Sequence, residues 1–125
     1  MTEKKKYEIT VTTRAAYLPD QSDDDKYVFA YTITLVNSGS VSARLVSRHW
    51  IITDANQTVQ EVRGEGVVGQ QPLLRPRESF EYSSGTAIAT PVGAMRGSYQ
   101  MVAEDGTQFE ARIPEFTLVM PRTLH

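Results

Sequence analysis

The sequence predicts an all-β chain folded as a two-sheet β-sandwich of the immunoglobulin or fibronectin type III kind. Three observations carry this expectation. Apolar and polar residues alternate with a period of two in one segment after another, the spacing of a strand with one buried face. Clusters of Gly, Pro, Asn, Asp and Ser separate these segments at short intervals, and no stretch repeats apolar residues at helical spacing. Seven or so short strands in about 100 residues is the complement such sandwiches use.

Each element follows from its own pattern. Tyr7, Ile9 and Val11 oppose Glu8, Thr10 and Thr12, predicting a strand over 7–13. A second strand over 27–36 carries Tyr27, Phe29, Tyr31, Ile33 and Leu35 on its odd face and stops at the turn residues Asn37-Ser38-Gly39. Within 41–54 the apolar parity switches from Ala43 and Leu45 to Trp50 and Ile52, so a β-bulge is expected near 46–49. Residues 57–63 read as a short edge strand. Gly64 to Pro76, with three glycines and two prolines, reads as a long loop without regular structure. Phe80 and Tyr82 mark another strand. Residues 97–104, with Tyr99, Met101 and Ala103 on one face, lead into Asp105-Gly106, the signal of a type I′ hairpin turn. The return strand buries Phe109, Ala111 and Ile113. Beyond Pro114 the parity moves to Phe116, Leu118 and Met120, which predicts a second bulge or a change of sheet. The acidic run Asp20 to Asp25 reads as a solvated loop, and Lys4 to Lys6 as a frayed terminus.

Composition narrows the function classes. The 125 residues, 40% of them apolar, are read as a single domain spanning 1–125. Thirteen basic against fifteen acidic side chains leave a net charge of −2, which argues against partners bound by charge alone, so neither nucleic acid nor membrane is expected. The absence of cysteine excludes a thiol nucleophile, a thiolate metal site and a disulfide scaffold. No leader-like apolar run follows the first residues and no 18-residue apolar stretch occurs. A cytoplasmic location is the expectation.

Gly64-Glu65-Gly66-Val67-Val68-Gly69 fits the letters G-x-G-x-x-G. The dinucleotide-binding form needs a helix after it, and Pro72 and Pro76 stand where that helix would run. Two readings remain: glycines that let backbone approach backbone, or a nest of amides holding an anion, with Arg48, Arg63 and Arg96 as cations. Ser47-Arg48-His49-Trp50 sets a cation, an imidazole and the only Trp side by side. Trp50 is expected in the core, and His49 is either its half-exposed neighbour or part of a site that the bulge aims. His125 is the only other histidine, and Asp23, Asp24 and Asp25 lack the ligand spacing of a dedicated loop. No Gly-x-Ser-x-Gly occurs. No catalytic residue, metal site or cofactor is therefore assigned.

Ser47 to Asp54, Val62 to Pro72 and Thr90 to Tyr99, together with Phe80 to Gly85 and Ile113 to Phe116, closely resemble the ApaG family, also called CorD. The one departure is Arg77, where the family's Leu-x-Pro-Gly-Glu pattern has glycine, which puts a positive φ at that turn in question. The resemblance implies a fibronectin III-like sandwich. It further implies a link to cobalt resistance and magnesium efflux, and proximity to a diadenosine-tetraphosphate hydrolase gene. In eukaryotes similar domains sit within F-box proteins and a DNA-polymerase-interacting protein, as protein-interaction modules.

The chain is thus expected to be a non-enzymatic binding module for a protein partner. The alternative is a binder of a small phosphate- or pyrophosphate-containing ligand at the Gly64–Gly69 segment. Candidate ligand-binding residues are Gly64, Glu65, Gly66, Gly69, Arg48, His49, Arg63 and Arg96. Pairing of two chains through an exposed edge strand, giving a homodimer, is compatible with the pattern. Gly66→Val is expected to keep a cooperative fold and lose binding, whereas Trp50→Ala empties the core.

Overall fold

A computed structural model describes residues 5–121, so Lys4 and His125 lie outside the described residues. In chain order the strands are β1 (Ile9–Tyr17), β2 (Tyr27–Asn37), β3 (Ala43–Asp54), β4 (Val59–Glu65), β5 (Leu73–Leu74), β6 (Ser79–Ile88), β7 (Val92–Ala103) and β8 (Gln108–Val119). All pairings between them are antiparallel. One sheet has the order β1-β2-β6, the other β4-β3-β7-β8, with β5 also paired to β3. The two form a β-sandwich, as the alternation predicts.

Its core is the set of residues the period of two turns inward. β2 contributes Phe29, Tyr31, Ile33 and Leu35, and β7 contributes Met95, Tyr99, Met101 and Ala103, all buried. Trp50 joins the sheets: its ring meets Tyr31 at 5.2 Å, Phe116 at 6.0 Å and Tyr99 at 6.5 Å, each edge-on. Such pairs contribute about 0.5–1.5 kcal/mol each beyond area burial. Tyr82 and Tyr99 share a 2.5 Å hydroxyl hydrogen bond inside the core.

Both expected bulges are present. The β3–β7 register shifts between Leu45 and Ser47, making Val46 the extra residue. This is why buried Ala43 and Leu45 give way to buried Trp50 and Ile52. In β8 the register passes from Ile113 opposite Gly97 to Phe116 opposite Met95, so Pro114 and Glu115 bulge within one sheet and the strand does not change sheets. Pro114 needs no ladder partner there.

Four expectations are corrected. The Gly64–Pro76 segment is not all loop, because Gly64 and Glu65 end β4 and Leu73–Leu74 form β5. β7 begins at Val92 rather than 97. Glycines at 93 and 97 hide the alternation there, and both are required: a Cβ on Gly97 would collide with the His49 carbonyl, and one on Gly93 would lie 2.7 Å from the Thr53 carbonyl. At Asp105-Gly106 only the glycine has positive φ, 88°, and its N–H donates to the Ala103 carbonyl at 2.9 Å. The hairpin is therefore a three-residue type I turn with a left-handed glycine, not type I′. Arg77 does adopt positive φ, 73°. It occupies the third position of Arg75-Pro76-Arg77-Glu78, closed by Glu78 N–H to the Arg75 carbonyl at 2.9 Å, a type II turn with Pro in its preferred place.

Candidate functional site: the outer face of the larger sheet

The Val46 bulge sets which β3 side chains face solvent. Ser47, His49 and Ile51 point away from the core, and because directly opposite residues in an antiparallel ladder share a face, each extends into a row. His49 lies between Arg63 on β4 and Ser98 on β7, with Arg112 beyond Ser98 on β8. The flanking rows run Glu65, Ser47, Gln100, Glu110 and Glu61, Ile51, Arg96. Two neighbouring concavities lie here. One of about 310 Å³ is bordered by His49, Ile51, Arg96, Ser98, Glu110 and Arg112; the other, of about 530 Å³, by Ser47, His49, Arg63, Glu65 and Gln100 among others.

Polar contacts order this face. Ser47 Oγ donates to Gln100 Oε1 at 2.8 Å, and Gln100 Nε2 donates to Ser98 Oγ at 2.9 Å. Ser98 itself is buried. Glu61 Oε2 lies 3.4 Å from His49 Nε2 and 3.7 Å from Arg63 Nη2. Among the described residues, Arg96 and Arg112 enter no ion pair. His49 is turned toward a carboxylate rather than a hydroxyl, so its described contact is not that of a base on a nucleophile.

The glycine segment is built differently. Val67 and Gln70 exchange two backbone hydrogen bonds, 2.8 and 2.9 Å, around Val68 (φ 44°) and Gly69 (φ 78°). That is a two-residue type I′ turn, the geometry expected at 105–106 but found here. The Gly66 N–H donates to Val46 at 2.8 Å. Three amides that an anion nest would need, those of Gly66, Val67 and Gln70, are thereby committed to carbonyls. Arg48 Nη1 donates to the carbonyls of Glu65 and Gly66 at 3.0 and 2.8 Å. Its guanidinium lies so close over Gly64 that a Cβ there would sit 2.8 Å from Nη2. A Cβ on Gly66, which has φ 62°, would collide with the Gln70 carbonyl. The close approach these glycines permit is of backbone and Arg48 to backbone.

The expected site residues therefore divide. His49, Arg63, Arg96 and Glu65 share the outer face, and Gly64 edges the larger concavity. Arg48 reaches its rim but holds the turn. Gly66 and Gly69 border a separate hollow of about 320 Å³ with Gln70 and Gln71. Glu61, Ser98, Gln100, Glu110 and Arg112 were not anticipated. Parity was the signal that could have found them: once one extra residue is placed at 46, the even positions of β7, and those of β8 before Pro114, share the face of His49, as Glu61 shares that of Arg63 on β4.

In the core beneath, burial pushes the Tyr82 hydroxyl up to about 12. Burial also pushes Tyr99 up, reinforced by Tyr82. The Trp50 indole N–H is buried without a hydrogen-bond partner.

Comparisons with known proteins agree on one family. Residues 18–103 match the profile described as the ApaG domain. Protein ApaG of Thiobacillus denitrificans is 67% identical across the whole of both chains, and that of Nitrosospira multiformis 65%. A crystal structure of a Bordetella pertussis protein named ApaA superposes with a TM-score of 0.93 at 56% identity, covering 97% of this chain and 100% of that one. The matched segment holds every site residue expected from the sequence, from Arg48 to Arg96, with Glu110 and Arg112 lying beyond it, and the chain belongs to the ApaG family.

Proposed function

We propose that this chain is a non-enzymatic, fibronectin III-like module that binds a protein partner through the outer face of its larger sheet. One observation carries the reading. Side chains of both charge signs and a histidine are collected in register on that face, with Arg96 and Arg112 unpaired among the described residues. A mixed-charge face with shallow concavities suits a protein surface, where complementarity of charge sets specificity and register. On this reading the family's link to cobalt and magnesium runs through a partner. Among the described residues no group of three or more metal-ligating side chains is gathered. The location is proposed as cytoplasmic; no helix is long and apolar enough to cross a membrane.

Affinity capture from cell extract, run with the wild-type chain and with R96E/R112E, tests the proposal. A reproducible partner retained by the wild type should fall at least about tenfold with the variant, the effect of losing roughly 1.4 kcal/mol, with the melting temperature unchanged. Equal retention by both, or no reproducible partner, refutes it.

A further inference from the structure

β4 is the edge of the larger sheet, and its hydrogen-bonding pattern can be read from its ends. Gly66 N–H donates to Val46 and Asp54 N–H to Thr58. Bonded pairs alternate along an antiparallel ladder. Even-numbered residues from Thr58 to Gly66 therefore bond β3, leaving the N–H and C=O groups of Val59, Glu61 and Arg63 directed at the open edge. Val59 and Val62 are exposed large apolar residues on this strand, 56% and 39% accessible. Such an edge is a template for another strand.

We propose that the occupant is a second copy of this chain, paired antiparallel through β4 about a twofold axis at Val62. Charge selects both partner and register. With the axis at Val62, Glu61 faces the second copy's Arg63 and Arg63 faces the second copy's Glu61. Both are pairs whose main-chain groups are unengaged, so each can make both of its ladder hydrogen bonds. Val62 then meets Val62 at the closer, non-bonded spacing. An axis at Glu61 sets Glu against Glu, and one at Arg63 sets Arg against Arg with Glu61 facing Glu65; like charges directly opposite oppose pairing. Axes at Gln60 and Gly64 run off the strand, which spans Val59–Glu65, and at the far end Arg48 occupies the Glu65 carbonyl. The charges that deter foreign strands thus admit this chain in one register. The argument for this pairing does not rest on what the outer face binds, although Glu61 and Arg63 belong to that face, and it would continue that face across both copies.

Sedimentation equilibrium of the purified chain from about 1 μM to about 1 mM, the range over which a weak specific dimer forms, tests it without any partner. The wild-type mass should rise toward twice the chain mass. E61R alone and R63E alone should weaken association at least about tenfold, since each sets like charges at both central pairs. An equimolar mixture of the two should restore it, because every facing pair is then unlike, and the double variant E61R/R63E should self-associate like the wild type. A wild-type chain that stays monomeric at the top of the range, single variants that dimerise as well as wild type, or a mixture and double variant that both stay monomeric would each overturn the proposal. Melting curves confirm that the variants are folded. Both side chains are exposed, and the double variant serves even if one single substitution fails to fold.

Discussion

Arg77 holds φ 73° at a type II turn position that favours glycine, and a left-handed non-glycine residue costs about 1–2 kcal/mol. Glycine adds unfolded-state entropy of about 0.5–1 kcal/mol, so Arg77→Gly should stabilise the chain by about 0.5–1 kcal/mol, read as a melting temperature higher by roughly 2–4 °C. Gly66 is the opposite case. Its positive φ and the collision of any Cβ with the Gln70 carbonyl mean that Gly66→Val should destabilise by about 2–4 kcal/mol. That reverses the expectation from sequence, in which this variant stays folded. A denaturant melt that leaves it within about 0.5 kcal/mol of wild type would show that the turn tolerates rearrangement. Asp105 is held well below the usual carboxylate range by the Tyr7 hydroxyl, then by the Thr107 N–H. A depressed folded pKa supplies stability that is complete above the ordinary value of 3.8 and drains as pH falls below it. Asp105→Asn should therefore flatten the acid limb of the stability profile below about pH 4. At this scale the sequence singled out Gly64, Gly66 and Gly69 but left their role open between packing and binding, since a turn tip closing on its own carbonyl and a ligand loop share the same letters.

The β-bulges reset which side chains face outward, and both were legible as breaks in parity: Val46 in β3, and Pro114 with Glu115 in β8. The first half of β7 was not, because Gly93 and Gly97 carry no side chain to alternate. Gly97→Ala should cost about 2–4 kcal/mol, an overpacking cost increased by the rigid backbone carbonyl it meets, and urea unfolding measures it. Deep in the sandwich, Tyr82 and Tyr99 keep their protons well above the ordinary value of 10.0. A raised folded pKa gives stability that is whole below pH 10 and lost as pH rises through 10 toward 12. The double variant Y82F/Y99F should lose less stability over that alkaline window, tracked by fluorescence of Trp50. A profile unchanged from wild type would place the alkaline loss elsewhere.

For the whole molecule, the alternation of apolar residues was enough to predict a two-sheet sandwich, because burial on one face imposes a period of two wherever a strand forms. The site was only half legible. His49, Arg63 and Arg96 could be picked out as chemistry-bearing residues, yet their common face depends on a register between strands far apart in sequence, His49 lying opposite Arg63 and Ser98 and Ile51 opposite Arg96. Single-segment patterns carry no such register. The central claim is that the glycine segment is a packed turn in which the Gly66, Val67 and Gln70 amides are already hydrogen-bonded, and that recognition belongs to the sheet face. Amide chemical shifts during a pyrophosphate titration to about 10 mM, beyond the roughly 1 mM of a marginal complex, test it most directly. The account predicts no saturable change at Gly64, Gly66, Val67, Gly69 or Gln70; saturable shifts centred on those five amides would contradict it.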